Sequence, residues 1–480
     1  MLLENTKLPN ASPNIIFILA DDMGYGDFSI FNGGRSNTPT LDSLINESVC
    51  LTHQYTASPV CNPSRAALMT GRYPHRTGSI DTLEWWGLER LALRETTIAD
   101  VFKSAGYTTG HIGKWHLGSF DFRYHPLNRG FDETVCFRGG MHDYYDWRIE
   151  YGNTVKRADG RYLTDVWTDE AIKFIKRRKS TDKFYLQVNY NAPHTPLQAP
   201  ENDILPFLEK GFNRGVSTVY GMIQRMDSGI QQILDVLESQ GLADNTILVF
   251  TSDNGPQFGN PSHIEADLEN TELSEWQLDR FNCNFNGAKG TIYEGGIRVP
   301  LIIRWPDGLE GKRQISLMSH FTDWFPTLLA ASGISVPSEI DIDGVNIWPM
   351  LSQEIKCNQT QRFWQWNRFS PDVTSNAAVI DGDWKLVRPR IDETMVVPDS
   401  SNLKISMYNP EHFIEHGIFS KPYPAREIPP PPPAELYNIA KDPEERNNLA
   451  DSEIERVRKL LVDLESWFEK VEFERSVIFE

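Results

Sequence analysis

The chain has 480 residues, 40 % of them hydrophobic and 11 % aromatic, with a formal net charge of −19 at pH 7. That length exceeds what one small core can serve and predicts one large and one smaller domain. The acidic balance excludes binding to nucleic acid or anionic membrane by bulk electrostatics, so any anionic substrate must be drawn in by a local basic cluster.

The first apolar run, Ile15 to Ala20, is too short to span a membrane and lacks the basic flank and cleavage site of a signal peptide. The expectation is a cytoplasmic chain, or a periplasmic or secreted one if a leader was removed. Asn14 to Ala20 reads as a buried strand, followed directly by Asp21-Asp22. A helix is predicted over Thr97 to Ala105, then a strand over Thr108 to Ile112 that leads to Lys114-Trp115-His116. Leu163 to Arg178 has helical periodicity, and the strand Phe184 to Tyr190 is followed by Asn191-Ala192-Pro193-His194. A helix over Ser217 to Gln240 precedes a strand over Asn245 to Thr251, which ends at Asp253-Asn254; a further strand covers Pro300 to Trp305. This alternation predicts an α/β fold, a mixed but mostly parallel sheet sandwiched by helices. Ligands bind outside the carboxyl ends of such strands, so four polar clusters should meet on one rim.

Past about Leu351 the character changes, and the division is placed at 1–355 and 356–480. Asn376 to Arg388 reads as a β-hairpin with an Asp381-Gly382 turn. Residues 389–434 are rich in proline, ending in Pro429 to Pro433, and are expected to be an extended surface crossing that acts as a spacer, with partner docking as the alternative. Glu435 to Asn438 offers a short strand, and a last helix opens at Ser452 with Glu455 completing a capping box. Its stripe of Ile454, Val457, Leu460, Leu461, Leu464 and Phe468 should pack on a sheet, giving a small C-terminal α+β domain of antiparallel sheet plus helix.

The five cysteines (Cys50, Cys61, Cys136, Cys283, Cys357) form no CxxC pair, so neither a disulfide framework nor a zinc finger is expected. One of them stands in a restrictive setting: residues 61 to 72 read Cys-Asn-Pro-Ser-Arg-Ala-Ala-Leu-Met-Thr-Gly-Arg. Pro63 suits a first helical residue and the run after it propagates a helix, which places Cys61 where unpaired N–H groups favour negative charge. Arg65, one turn on, can face the same site. From the residues alone, Cys61 is a small apolar residue opening a helix or a low-pKa thiol nucleophile.

Asp21, Asp22, Asp253 and Asn254 offer only oxygen, which suits Ca²⁺ or Mg²⁺ rather than zinc or copper; capping and turn formation are the ordinary alternatives for such residues. Lys114, His116, His194 and Lys289 supply cations and proton-transfer groups, with Lys289 in a glycine-rich loop that allows close approach to a ligand.

The run from Cys61 to Arg72 resembles the signature of the formylglycine-dependent sulfatases of the alkaline phosphatase superfamily, and the resemblance extends from about Asn14 to Gly344. It implies the alkaline-phosphatase-like fold and oxidation of Cys61 to an aldehyde by a formylglycine-generating enzyme. It implies a divalent cation, usually Ca²⁺ with Mg²⁺ or Mn²⁺ as alternatives, on Asp21, Asp22, Asp253, Asn254 and the oxidised Cys61. By the same resemblance Arg65 holds the hydrated aldehyde with Lys114 and His116 beside it, His194 protonates the leaving oxygen, and Lys289 meets the sulfate. The expected activity is hydrolysis of a sulfate ester. A sulfated carbohydrate is the expected substrate, because Trp85-Trp86 and the segment His142 to Arg148 could rim the pocket. The rival readings are a phosphate or phosphonate ester hydrolase of the same superfamily, a non-catalytic binder of sulfated glycan, and a hydrolase using the bare thiol.

Overall fold

The computed structural model describes residues 12–259, 273–353, 360–399 and 401–478. Among these, one large sheet is built from β1 Asn14–Ala20, β2 Val49–Tyr55, β3 Thr108–Lys114, β4 Glu133–Phe137, β5 Arg148–Tyr151, β6 Thr154–Arg157, β7 Phe184–Asn189, β8 Thr246–Ser252, β9 Arg298–Arg304 and β10 Arg313–His320. A second sheet holds β11 Arg362–Gln365, β12 Ala377–Asp381, β13 Trp384–Arg388 and β14 Glu435–Asn438. The helices used below are α1 Cys61–Thr70, α2 Ile98–Ser104, α3 Leu163–Lys176, α4 Arg214–Ser239, α5 Ser401–Tyr408, α6 Glu411–His416 and α7 Ile454–Ile478.

The large sheet runs β10-β2-β9-β8-β1-β7-β3-β4-β5-β6. Its centre, β8-β1-β7-β3-β4, is parallel, whereas β9 lies antiparallel between β8 and β2 and β5-β6 closes the far edge antiparallel. Every residue of β1 is buried. Ile16, Ile18 and Ala20 enter one core with Trp167 and Ile230, and Ile15, Phe17 and Leu19 enter the other with Phe102 and Phe325. Successive side chains of a strand point to opposite faces, so an unbroken apolar run is what a strand covered on both sides requires. At about 1.5–3 kcal/mol per large side chain buried, β1 is committed to the centre of the sheet.

Helix ends follow local chemistry. α2 is capped by Thr97, whose side chain accepts from Asp100 N while Asp100 returns the bond. α4 starts at Arg214, three residues before the predicted start, because the Asn213 side chain accepts from Val216 N at 2.9 Å. α1 begins at Cys61, two residues ahead of Pro63, with Val60 as its cap. Proline is tolerated at the third position because the first four helical N–H groups lack partners within the helix anyway.

The second sheet is antiparallel, as expected. Ala377, Val379, Leu386 and Leu436 meet Leu460, Leu464, Trp467 and Val471 of α7, and the opposite face packs through Ala378, Ile380, Val387 and Tyr437 on Tyr55, Ile292 and Ile297 of the large unit. Three readings need correction. Ser452 does not cap α7, which starts at Ile454; the Ser452 hydroxyl instead donates to Leu449 O at 3.0 Å. Ile454 is exposed, and Trp467 and Val471 take its place in the apolar stripe. The proline-rich segment is more than a spacer, since it contains α5 and α6 and sends Leu403 and Phe413 into a cluster with Trp85 and Phe369. The boundary expected between 355 and 356 lies outside the described residues, as does Cys357; Cys50, Cys61, Cys136 and Cys283 are free. No helix among the described residues is long and apolar enough to cross a membrane.

Candidate active site

The polar clusters that follow β1, β3, β7 and β8 converge at the carboxyl edge of the parallel sheet, because these four strands are neighbours. Asp21, Asp22 and Asp253 each bring a carboxylate oxygen within 4.8 Å of the others, and the Cys61 Sγ, an Asp21 oxygen and a His194 ring nitrogen likewise lie within 4.8 Å of one another. All ten residues named from the sequence are buried here or, for Lys289, nearly so.

Three cations answer three carboxylates. Lys114 Nζ lies 2.6 Å from Asp21 Oδ2, Lys289 Nζ 2.7 Å from Asp22 Oδ2, and Arg65 Nη2 2.7 Å from Asp253 Oδ2. Arg65 also donates Nε to Asp253 at 2.8 Å and Nη1 to Lys114 O at 3.2 Å, so α1 is tied to both neighbouring strand ends. Asn254 Nδ2 donates to Asp22 Oδ1 at 2.7 Å. Asp22 and His116 hold left-handed backbone, φ 66° and 55°, a cost tolerated where surrounding contacts dictate the geometry. Gly255 is required after Asn254, since a Cβ there would stand 1.9 Å from Gly295 O in the lysine-bearing loop.

The electrostatics follow from burial and these pairs. Burial pushes Asp22 upward, but Lys289, His194 and Asn254 outweigh it and hold the carboxyl well below its usual range. Asp253 goes the other way, to about 6, through burial and then the charge of Asp21, against the pull of Arg65 and Lys114. Burial raises the Cys61 thiol more than Lys114 and Lys289 lower it, so it rests as a thiol. His194 falls to about 3 through burial and Lys289, and His116 falls well below its usual value through burial, Lys114 and Arg65, which keeps its ring neutral.

Asp21 Oδ1 and Asn254 Oδ1 are buried oxygens that take no hydrogen bond among the described residues. Orphaned oxygens beside close-set carboxylates are a donor set that could hold a hard divalent cation. With three charges of each sign already matched, a divalent ion would leave a surplus of positive charge facing the cleft, a fit for an anionic ligand.

The cleft itself has a volume of about 400 Å³. Cys61, His116, His194 and Lys289 line one end; Glu84, Gly140, Gln257, Phe258, Trp366 and Arg368 are among its other walls. Gly140 makes room for the His116 ring, because a Cβ there would sit 2.6 Å from His116 Cε1, and its N–H donates to Glu84. The aromatic segments expected to rim the cleft do not line it. Trp85 is buried, and Trp86 packs edge-on against Phe369, Phe419 and Tyr423. Tyr144 is buried too, with its hydroxyl 2.6 Å from Asn191 O and 2.9 Å from His194 O, where it steadies the loop carrying His194. Glu84, Phe258, Trp366 and Arg368 were not singled out in the sequence, and nothing local marks them; they reach the cleft only through long-range packing.

Residues 13–334 match the family described as Sulfatase, and residues 286–396 match N-sulphoglucosamine sulphohydrolase, C-terminal. The chain belongs to the sulfatase family. Among its relatives, this sulfatase-family chain is 33 % identical over 370 residues to the N-acetylgalactosamine-6-sulfatase of Homo sapiens, a match covering 71 % of this chain and 66 % of that protein. It is 32 % identical over 394 residues to the uncharacterized sulfatase YdeN of Escherichia coli (strain K12), with the same coverage of 71 % and 66 %. The chain thus spans about two thirds of the length of these relatives, 66 %. Among solved structures, Ps i-CgsB in complex with k-i-k-neocarrahexaose superposes with a TM-score of 0.77 at 28 % identity, over 95 % of this chain and 92 % of that one.

Proposed function

We propose that this chain is a sulfuric ester hydrolase acting on a sulfated carbohydrate, with a nucleophile made by oxidising Cys61 to an aldehyde. The observation that carries the reading is the position of Cys61: first residue of α1, beside Asp21 and His194, at the end of a cleft whose fixed charges are balanced in threes. A bare thiol held protonated by burial is a poor nucleophile, which favours the modified residue. A relative named N-acetylgalactosamine-6-sulfatase and a structural neighbour solved with k-i-k-neocarrahexaose support a saccharide substrate. The maturation partner is a formylglycine-generating enzyme, and the chain divides into a catalytic unit, 1–355, and a C-terminal unit, 356–480.

Asp21, Asp22, Asp253 and Asn254, with an oxygen from the modified position 61, would hold the cation, which is calcium in this reading. Bound there, the cation would supply positive charge toward a hydroxyl at position 61 and the sulfate oxygens. The modified residue would supply, as its hydrate, two hydroxyls on one carbon, one as nucleophile and one whose deprotonation would allow sulfate to leave.

The remaining work falls to the chain's own side chains. Arg65, locked to Asp253, fixes position 61. Lys114 and Lys289 meet charge that develops on the sulfate oxygens, preorganised help that is usually the largest catalytic contribution. His194 donates Nδ1–H to Thr195 O at 2.7 Å, which leaves Nε2 to carry the proton given to the departing alcohol. An anion bound alongside raises its low pKa. Neutral His116, whose ring nitrogens make no hydrogen bond among the described residues and whose Nε2 lies 3.8 Å from Glu84 Oε1, accepts the proton lost in the second step.

The test compares a sulfated saccharide with its phosphate counterpart on matured, calcium-loaded protein. Release of inorganic sulfate, abolished by Cys61→Ala, is expected. Faster release of phosphate, or equal sulfate release by the variant, would overturn the reading.

A further inference from the structure

The cleft continues beyond its reacting end to a wall supplied by the C-terminal part of the chain, where Trp366, Arg368 and Leu403 face the same cavity as Cys61 and Lys289. Arg368 is held there firmly. Its Nη1 donates to Asp81 Oδ1 and to Thr82 Oγ1, each at 2.7 Å, and its guanidinium carbon lies 5.0 Å from the centre of the Trp366 ring. Asp81 is buried and anchored independently, accepting from Thr82 N at 2.7 Å and Phe369 N at 3.0 Å. These contacts occupy one nitrogen of the fork. Among the described residues Nε and Nη2 donate to nothing, and the side chain keeps 23 % of its surface exposed.

A planar guanidinium that is fixed, stacked and only partly committed has lost its rotamer entropy before any ligand arrives, and its free edge matches a carboxylate or sulfate. A structural ion pair alone would not need a place on the cleft wall. We propose that Arg368, backed by Trp366, forms a second anion-recognition subsite, which takes a sulfate or carboxylate on the sugar ring next to the one being desulfated. This rests on the sulfatase reading of the Cys61 end, and it narrows the substrate to a saccharide with negative charge on two adjacent rings.

Binding separates the subsite from the chemistry. Calcium-loaded Cys61→Ala protein is titrated with three disaccharides that share a sulfated reacting ring: one with a neutral neighbouring ring, one with a second sulfate there, and one with a uronate. A charged neighbour should tighten Kd by about 10- to 100-fold, the range of a charge-assisted hydrogen bond, and the arm with the gain identifies which anion is read. Adding R368Q should shrink the gain to within about threefold, while R368K, which keeps charge but loses the fork, should retain part of it. If R368Q does not fold, R368K decides by its incomplete gain. No gain from either anion, a gain that survives both substitutions, or equal weakening for all three ligands would overturn the proposal. Failure of the unsubstituted protein to release sulfate would count against the sulfatase reading instead, and the binding comparison would still judge the subsite.

Discussion

Replacing Lys289 by Met separates the charge that serves the reaction from the charge that serves the fold. Lys289 Nζ sits 2.7 Å from Asp22 Oδ2, and its side chain is 17 % exposed on the cleft wall. Asp22 is buried but keeps its bond from Asn254 in the variant, so stability should fall by about 1–3 kcal/mol, the cost of leaving a buried acceptor short of one partner. Catalysis should suffer more. Removing one preorganised donor from developing charge costs about 2.7–4 kcal/mol, so kcat should drop by about 10²–10³. Lys385→Met is the opposite case. Its ammonium is fully buried between Glu294 at 2.9 Å and Glu445 at 2.8 Å, and its loss should cost about 3–5 kcal/mol while the folded fraction turns over normally. Urea unfolding midpoints and sulfate release by each variant are the assays. A Lys289→Met enzyme within threefold of the parent kcat would refute the role given to this lysine.

Three further outcomes are expected. Glu89 is pushed up to about 8 by burial and then by Glu84, so the stability its protonated form supplies is complete below about pH 4.5 and is lost as pH rises through 8. Glu89→Gln should therefore raise the melting temperature at pH 8 and leave it nearly unchanged at pH 5; equal shifts at both would contradict this. Calcium at about 100 times its Kd should stabilise the protein by ~2.7 kcal/mol, and Asp253→Asn should remove most of that gain in a thermal-shift titration; an unchanged gain would contradict the assigned ligand set. Phe258→Ala, on the cleft wall, should raise KM for a saccharide about tenfold with little change for a small sulfate ester; equal effects on both would argue against a sugar-facing role.

The parts of the molecule legible in advance share a physical feature: they are fixed by short-range pattern. The apolar run of β1 requires cover on both faces, and the strand ends carry Asp21-Asp22, Lys114, His194 and Asp253-Asn254 because an open parallel sheet collects its ligand groups there. The cleft walls lack that signal. Arg368 meets Asp81 across a sequence separation of 287, a contact no periodicity encodes. Aromatic content misled for a related reason, since Trp85-Trp86 and Tyr144 look like sugar platforms in sequence and are core and scaffold in the fold. The proline-rich segment reads as a spacer in sequence because extended composition hides the anchors, Leu403 and Phe413, that pin it beside the cleft. At Ser452 the predicted cap failed because its hydroxyl closes the preceding turn onto Leu449 O.

The account depends most on the chemical state of position 61. Mass analysis of the peptide spanning Cys61, taken from a sample whose sulfate release has been measured and treated with a hydrazide to trap carbonyls, tests it directly. The prediction is an aldehyde at that position, in a fraction that tracks specific activity across preparations. A fully active sample carrying an intact thiol there would contradict the account.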